Sequence, residues 1–277
     1  HTAADAYLET VGRAHTRRLG ASELAAVVGS EQIVAGFRVP ERSVNTQWIA
    51  DRLCQRLIDD PAIELRLGER VLSVAGDESR GRSRWQVRTT DAVDGPFTRV
   101  FNALWEGRLA VDQTVGLALP PRWSNRYRLA LFLRTDRPVA SPCAIVATGP
   151  FGDVKNYNDR DFYLSWYPAG LVQQNALIAP PFGAELCKPE LAPVSEAVIA
   201  SLGSLLPWVR DIRERCELMR LEGGWVYAEG EGSLADPSST LHRRDSYGTR
   251  RHRDYLSIDT GKYSTAPWVA EQLIDSL

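Results

Sequence analysis

The closing stretch, residues 255–277, constrains the fold more than any other part of this chain. Tyr255-Leu-Ser-Ile-Asp259 reads as a short apolar strand, Thr260-Gly-Lys262 as a tight turn, and a helix opens at once behind it. Either Ser264 or Thr265 can cap that helix, and Pro267 falls in its first turn, where a missing N–H costs nothing. Free N–H groups, the partial positive charge of a helix N-terminus and the Lys262 ammonium then converge on one spot. An anionic ligand requires that arrangement.

The rest of the chain alternates between two periods. Ala3, Ala6, Tyr7, Thr10, Val11 and Ala14 recur at helical spacing, and Ser22 to Val28 suits a short helix. Asn45 is placed to cap a helix whose stripe is Trp48, Ile49, Leu53 and Leu57, stopped by Pro61. Period two takes over at Ile63, Leu65 and Leu67, then at Val71 to Val74, Trp85 to Thr89 and Thr98 to Phe101. Gly81 and Asp94-Gly95-Pro96 mark turns. Further strands are expected at Arg126 to Arg134, Ala144 to Thr148, Phe162 to Trp166, Ala176 to Ile178 and Leu218 to Glu229. Helical spacing returns over Val194 to Leu202 and again near Trp208 to Arg215. Strands in succession, then helices, then strands indicate an α+β architecture with a mixed or antiparallel sheet.

Composition excludes several classes. The 277 residues can bury about three quarters of their unfolded surface. A net charge of −2 argues against a general nucleic-acid binder. Cys54, Cys143, Cys187 and Cys216 are scattered, without zinc or disulfide spacing, and suit a reducing cytoplasm. No apolar run approaches the length of a membrane span. His1, His15, His242 and His252 lack metal spacing. Gly230-Glu-Gly-Ser-Leu-Ala235 has the spacing of a dinucleotide turn, but Asp236-Pro-Ser-Ser follows where a helix is needed. Thr260-Gly-Lys-Tyr263 lacks the Ser/Thr of a P-loop, and no Gly-x-Ser-x-Gly elbow occurs.

Three segments resemble one family. The Gly261-Lys262-Tyr-Ser264-Thr265 loop with its helix is the first. Arg99-Val-Phe-Asn-Ala-Leu-Trp-Glu-Gly107, a strand ending in Asn102-Ala103 and then a glycine, is the second; an ordinary strand exit would read the same way. Arg42-Ser-Val-Asn-Thr-Gln47 leading into a helix is the third. Over roughly residues 37–277 the chain looks like an FAD-dependent oxidoreductase of the D-amino-acid oxidase superfamily. It departs from the usual Asn-Ala-x-Gly, since Leu104-Trp105-Glu106 lengthens the gap before Gly107. The resemblance implies a mixed or antiparallel substrate-domain sheet with helices, plus the C-terminal portions of a discontinuous, Rossmann-like FAD-binding domain. Residues 1–62 would be a helical lead-in, 63–108 part of the FAD-binding domain, 109–244 the substrate-binding domain, and 245–277 the closing FAD-binding strand, loop and helix. The family's Gly-x-Gly-x-x-Gly opening has no counterpart here, so the expected reading is a chain lacking its dinucleotide-binding start.

By resemblance, the cofactor is FAD. Gly261, Lys262, Ser264 and Thr265 would hold its flavin end, with Lys262 facing negative charge on the ring. Asn102, Ala103 and Gly107 would pass beside the dinucleotide, and the backbone at Val71 would meet the adenine. The implied reaction oxidises a small amine, amino acid or hydroxy acid by hydride transfer to flavin. A flavin-free binding or regulatory protein and a polyol-phosphate dehydrogenase-like flavoenzyme are the alternatives. On the strand starting at Phe162, alternation puts Tyr163, Ser165 and Tyr167 on one face, and Tyr163 can hydrogen-bond a substrate or simply pack. The basic run His242-Arg-Arg244 and Arg250-Arg-His-Arg253 is either a solvated face or a grip for an anion. Partners are thus a small anionic amine or hydroxy acid, with neither nucleic acid nor membrane, in an oligomer the sequence does not define.

If Arg243 or Arg244 grips that anion, Arg243→Ala or Arg244→Ala raises KM by the equivalent of about 2–5 kcal/mol, the cost of orphaning one member of a buried charge pair. Arg251→Ala should change little. Steady-state kinetics showing equal, small effects at all three positions would return the run to a solvated face.

Overall fold

The computed structural model describes residues 16–40, 43–77, 84–147, 151–181, 190–233, 236, 238–242 and 247–277. The helix expected over residues 3–14, the turn at Gly81, and Arg243 and Arg244 lie outside the described residues. In chain order the elements are β1 (Arg17–Arg18), α1 (Ala21–Val27), β2 (Phe37–Arg38), α2 (Thr46–Asp59), β3 (Val71–Asp77), β4 (Arg84–Thr89), β5 (Val93–Phe97) and β6 (Val100–Asn102). A short 3-10 turn, Trp105–Gly107, leads into α3 (Arg108–Thr114), followed by β7 (Trp123–Thr135), β8 (Ala144–Val146), β9 (Gly152–Asn156), β10 (Asp161–Trp166), α4 (Tyr167–Gly170) and β11 (Leu171–Asn175). Then come α5 (Leu191–Leu205), α6 (Val209–Glu214), β12 (Cys216–Glu229), β13 (Gly248–His252), β14 (Tyr255–Asp259) and α7 (Ala266–Asp275). This is the expected α+β class. No helix among the described residues is long and apolar enough to cross a membrane.

The chain forms two compact units. The first comprises His1–Leu53, Leu129–Leu171 and Pro189–Gly223. Its centre is the antiparallel run β7-β10-β9-β8, with Leu164 opposite Leu131 on one side and Val154 on the other. Alternation along β10 puts Phe162, Leu164 and Trp166 into one core with Leu131 and Leu133 of β7 and with Val198, Leu202, Val209 and Ile212 of α5 and α6. Tyr167, expected to continue this strand, instead opens α4, because Pro168 has no N–H for the ladder and fits the first helical turn.

The second unit comprises Cys54–Arg128, Val172–Lys188 and Gly224–Leu277. It holds two three-stranded sheets. One is the antiparallel meander β3-β4-β5; in the other β14 lies between β13, antiparallel, and β6, parallel. Val74, Trp85, Val111 and Tyr255 form its apolar centre, with the Trp85 and Tyr255 rings 5.9 Å apart.

Several expectations give way to local physics. Residues 63–67 form no strand despite their alternation, and Ile63 and Leu67 stay exposed. The turn expected at Asp94-Gly95-Pro96 is part of β5, which tolerates Pro96 because it is an edge strand. The strand expected at Ala176 to Ile178 comes earlier, as β11; the Asn175 side chain accepts the Leu177 N–H at 3.1 Å and ends it. Arg250-Arg-His252 is an edge strand as well, where charge blocks further pairing. Asn45 does cap α2, its Oδ1 accepting the Trp48 N–H at 3.0 Å. Yet Trp48 and Leu53 on its stripe are 61% and 60% exposed.

Packing around α4 gives a clean test. A Cβ on Gly170 would lie 2.4 Å from the Leu129 carbonyl oxygen, whereas one on Gly224 meets nothing within 4 Å. Gly170→Ala should cost about 1–3 kcal/mol in urea unfolding, as overpacking does, and Gly224→Ala well under that.

Candidate functional site

The second unit builds a polar site from three short elements. In β14, period two sends Tyr255, Ser257 and Asp259 to one face, and all three are buried. β6 runs parallel beside it and sets Asn102 opposite Ser257. α3 completes the group with Arg108 and Asp112, one helical turn apart and therefore on one face.

Arg108 is the hub. Its side chain is 1% exposed, and it donates from Nη2 to Asp259 Oδ2 at 2.9 Å and from Nη1 to Ser257 Oγ at 3.0 Å and Asp112 Oδ2 at 3.4 Å. The Tyr227 ring faces the guanidinium, its centroid 5.1 Å away. Asp112 accepts from the Ser257 hydroxyl at 2.6 Å and from the Tyr255 hydroxyl at 2.7 Å. The Asn102 amide lies 2.9 Å from Asp112 Oδ1 and also donates to the Arg108 carbonyl at 2.9 Å. Burial first, then the hydrogen bond to the Asp112 carboxylate, raises the Tyr255 phenol above its ordinary pKa, which keeps it a donor. Burial, and then the Asp259 charge, raises the Glu229 carboxyl too.

From this network the chain enters the turn singled out in the sequence. Asp259 Oδ1 accepts the Gly261 N–H at 2.8 Å. Gly261 has φ +63°, the left-handed region, and a Cβ there would lie 3.0 Å from Tyr247 Cβ. The need for glycine is thus internal to the turn. The Lys262 N–H reaches the Thr260 carbonyl at 2.5 Å and Thr265 Oγ1 at 3.3 Å. Thr265 donates back to the Thr260 and Lys262 carbonyls, so its hydroxyl braces the turn and does not cap α7. Pro267 sits in the first turn of α7, as its chemistry requires.

The donors left to a ligand therefore differ from those anticipated. The Gly261 and Lys262 N–H groups are engaged within the turn. Among the described residues no group accepts from the Tyr263 or Ser264 N–H, and Lys262, which is exposed, forms no ion pair. These donors stand where α7 begins.

The loop after β6 is the site's second arm. Asn102 Oδ1 accepts the Leu104 N–H at 3.3 Å, and Ala103 is exposed. The extra residues form the 3-10 turn, with Trp105 at φ +51° and its indole N–H held by the Trp225 carbonyl at 2.9 Å. Gly107 has ordinary helical dihedrals, and a Cβ there would only touch Leu104 Cβ at 3.6 Å. Nothing within the described chain demands glycine there. Arg108 follows it directly, so one guanidinium ties this loop to the Gly261 turn.

The other candidates are dispersed. Val71 opens β3, opposite Thr89, and packs against the Val74–Trp85 cluster. Tyr163 belongs to the first unit, where its ring meets Phe132 at 5.4 Å. In the second basic cluster Arg250 donates to the Ala118 carbonyl and Arg251 lies 3.6 Å from Asp254. Sequence reasoning missed Arg108, Asp112 and Asp259; the Arg108/Asp112 spacing, directly after the loop glycine, was the available signal.

No protein-family model and no curated protein sequence matches the chain. Solved structures do. Glycine oxidase from Geobacillus kaustophilus matches with a TM-score of 0.68 at 13% identity, covering 99% of this chain and 66% of that one. For L-proline dehydrogenase from P. horikoshii the TM-score is 0.62 at 12% identity, over 94% and 65% of the two chains. For iminodiacetate oxidase from Chelativorans sp. BNC1 it is 0.55 at 13%, over 99% and 68%. The chain spans about two thirds of the length of these proteins. Identity this low speaks for fold, and the fold is the one expected from the resemblance to the D-amino-acid oxidase superfamily.

Proposed function

We propose that the protein is an FAD-dependent oxidoreductase that oxidises a small amino acid or related amine, with a hydroxy acid as the chemical variant. The observation that carries this reading is Lys262 beside the Tyr263 and Ser264 N–H groups just before α7, which no group among the described residues accepts, in a fold shared with two oxidases and a dehydrogenase. The three matched proteins are named for glycine, L-proline and iminodiacetate, each with both an amine and a carboxylate. That supports an anionic amine as substrate here.

FAD, when bound, would supply the acceptor for a hydride leaving the carbon that bears the amine or hydroxyl. The residues present fit such a group: Lys262 with the Tyr263 and Ser264 N–H groups, which no group among the described residues accepts, forms an electropositive corner. Lys262 and the N-terminus of α7 would hold the cofactor's flavin end and would stabilise negative charge there. Ser264 and Thr265 shape that corner. By the resemblance, the backbone through Asn102, Ala103 and Gly107 and that at Val71 would hold the dinucleotide part of the cofactor. By the resemblance, Arg243 or Arg244 would pair with the substrate carboxylate. An amine that arrives neutral needs no side chain as general base. The free thiols of Cys54, Cys143 and Cys216 are in keeping with a cytoplasmic setting.

The intact gene product should be yellow and should gain thermal stability with added FAD. A colourless protein with no FAD-dependent shift in Tm would sink this reading in favour of a flavin-free binding protein.

Two substitutions test the corner itself. Gly261→Val forces a β-branched residue to φ +63° against Tyr247, and should abolish flavin retention while leaving most of the fold in place. Lys262→Met keeps the stem and removes the charge. It should lower the flavin reduction potential and slow reduction by substrate about 10–100-fold, since one preorganised charge is lost. Unchanged potential and unchanged rapid-reaction rate would mean Lys262 only faces solvent.

A further inference from the structure

We infer that Arg108 and Asp259 are positioning residues: the buried guanidinium fixes the Asp259 carboxylate, which in turn holds the Gly261–Lys262 turn by its first N–H. The functional meaning of that turn rests on the flavin reading above; the positioning itself does not.

Asp259 uses its two oxygens for two different purposes. Oδ2 accepts from Arg108 at 2.9 Å and Oδ1 accepts from Gly261 N–H at 2.8 Å. An Asp side chain that bonds a backbone N–H two residues on is a common turn device. Here the side chain is also buried, at 6% exposure, and its orientation is set from behind by a cation. Arg108 in turn has little freedom, because Asp112 and Ser257 hold its other terminal nitrogen. Gly261 adopts φ +63° without strain, and the carboxylate selects that one conformation from the several a glycine can visit, from the strand side of the turn as Thr265 does from the helix side.

Arg108 also begins α3 immediately after Gly107, and Asn102 accepts no freedom of its own, its amide being bonded to the Arg108 carbonyl and to Asp112. The loop 102–107 and the turn 259–262 are therefore set against each other by one side chain. Any ligand that contacts both meets a spacing fixed before it arrives, which reduces the ordering cost of binding.

The test is hydrogen–deuterium exchange on the whole protein without cofactor, comparing Asp259→Asn, Arg108→Lys and Ser257→Ala. Asn cannot accept from both Arg108 and Gly261. Lys keeps the charge but cannot reach Asp112, Ser257 and Asp259 together. Ser257→Ala disturbs the same buried network without touching the Asp259–Gly261 contact. Both of the first two variants should speed exchange at Gly261 and Lys262 about tenfold, a local opening, while β14 stays protected. Ser257→Ala should leave the turn close to wild-type rates, because Arg108 keeps its bonds to Asp112 and Asp259. Arg108→Lys decides the matter alone if Asp259→Asn does not fold. Wild-type exchange at the turn in the folded variants, or a uniform rise matched by Ser257→Ala, overturns the inference. FAD titration separates the two readings: if the wild type takes up FAD, Asp259→Asn should weaken it about tenfold, and a wild type that ignores FAD removes the flavin reading while the exchange result still decides this one.

Discussion

A guanidinium taken almost wholly out of water must find acceptors for its donors, and the second unit is arranged around that requirement at Arg108. Asp259, Ser257 and Asp112 accept from it, while the Tyr227 ring covers it. Two carboxylates against one cation would leave excess negative charge in a poorly solvated place. The hydroxyls of Tyr255 and Ser257 and the Asn102 amide each donate to Asp112 and spread that charge over several dipoles. Removing one member of such a set costs about 3–5 kcal/mol, because its partners stay buried without compensation. The result is a rigid polar floor on which β6, α3 and β14 must keep one register.

The first unit follows a different principle. Its main cluster is apolar, with Phe162, Leu164 and Trp166 of β10 and Leu131 and Leu133 of the neighbouring β7 packed against α5 and α6. Its ion pairs stay at the periphery, as in Arg134 with Asp161 at 2.8 Å, and buried hydroxyls such as Thr135 and Ser195 bond nearby backbone carbonyls. One unit gains specificity from packed hydrocarbon, the other from a satisfied hydrogen-bond network. Geometry at the ångström level, as a charged ligand requires, is better defined by the second kind.

Much of this organisation was legible in the sequence where a residue's meaning is local. The strand, turn and helix of residues 255–275, the Asn45 cap and the alternation through Phe162, Leu164 and Trp166 all follow from neighbours within a few positions. The Gly261–Lys262 turn was legible as a motif, but not which of its N–H groups are used within it, because that depends on the Asp259 carboxylate and on the hydroxyl of Thr265 turning inward. α3 escaped notice since it is short and its defining residues are charged. Arg108 finds its partners Ser257 and Asp259 149 and 151 residues further along, a distance over which spacing carries no signal. Ile63, Leu65 and Leu67 show the converse: alternation without a neighbouring strand to pair with gives no strand.

Gly107 and Gly261 are both glycines of the site, yet the chain constrains them differently. Gly261 is fixed by its own backbone and by Tyr247, whatever the protein binds. Gly107 has ordinary dihedrals, and a Cβ there would make only an ordinary contact with Leu104. Evolutionary drift therefore separates them. A lineage that kept this fold but gave up its ligand would retain glycine at 261 under selection for folding alone, while position 107 would accumulate alanine and serine. The pair works as a molecular record, one glycine marking the architecture and the other marking whether something still binds there.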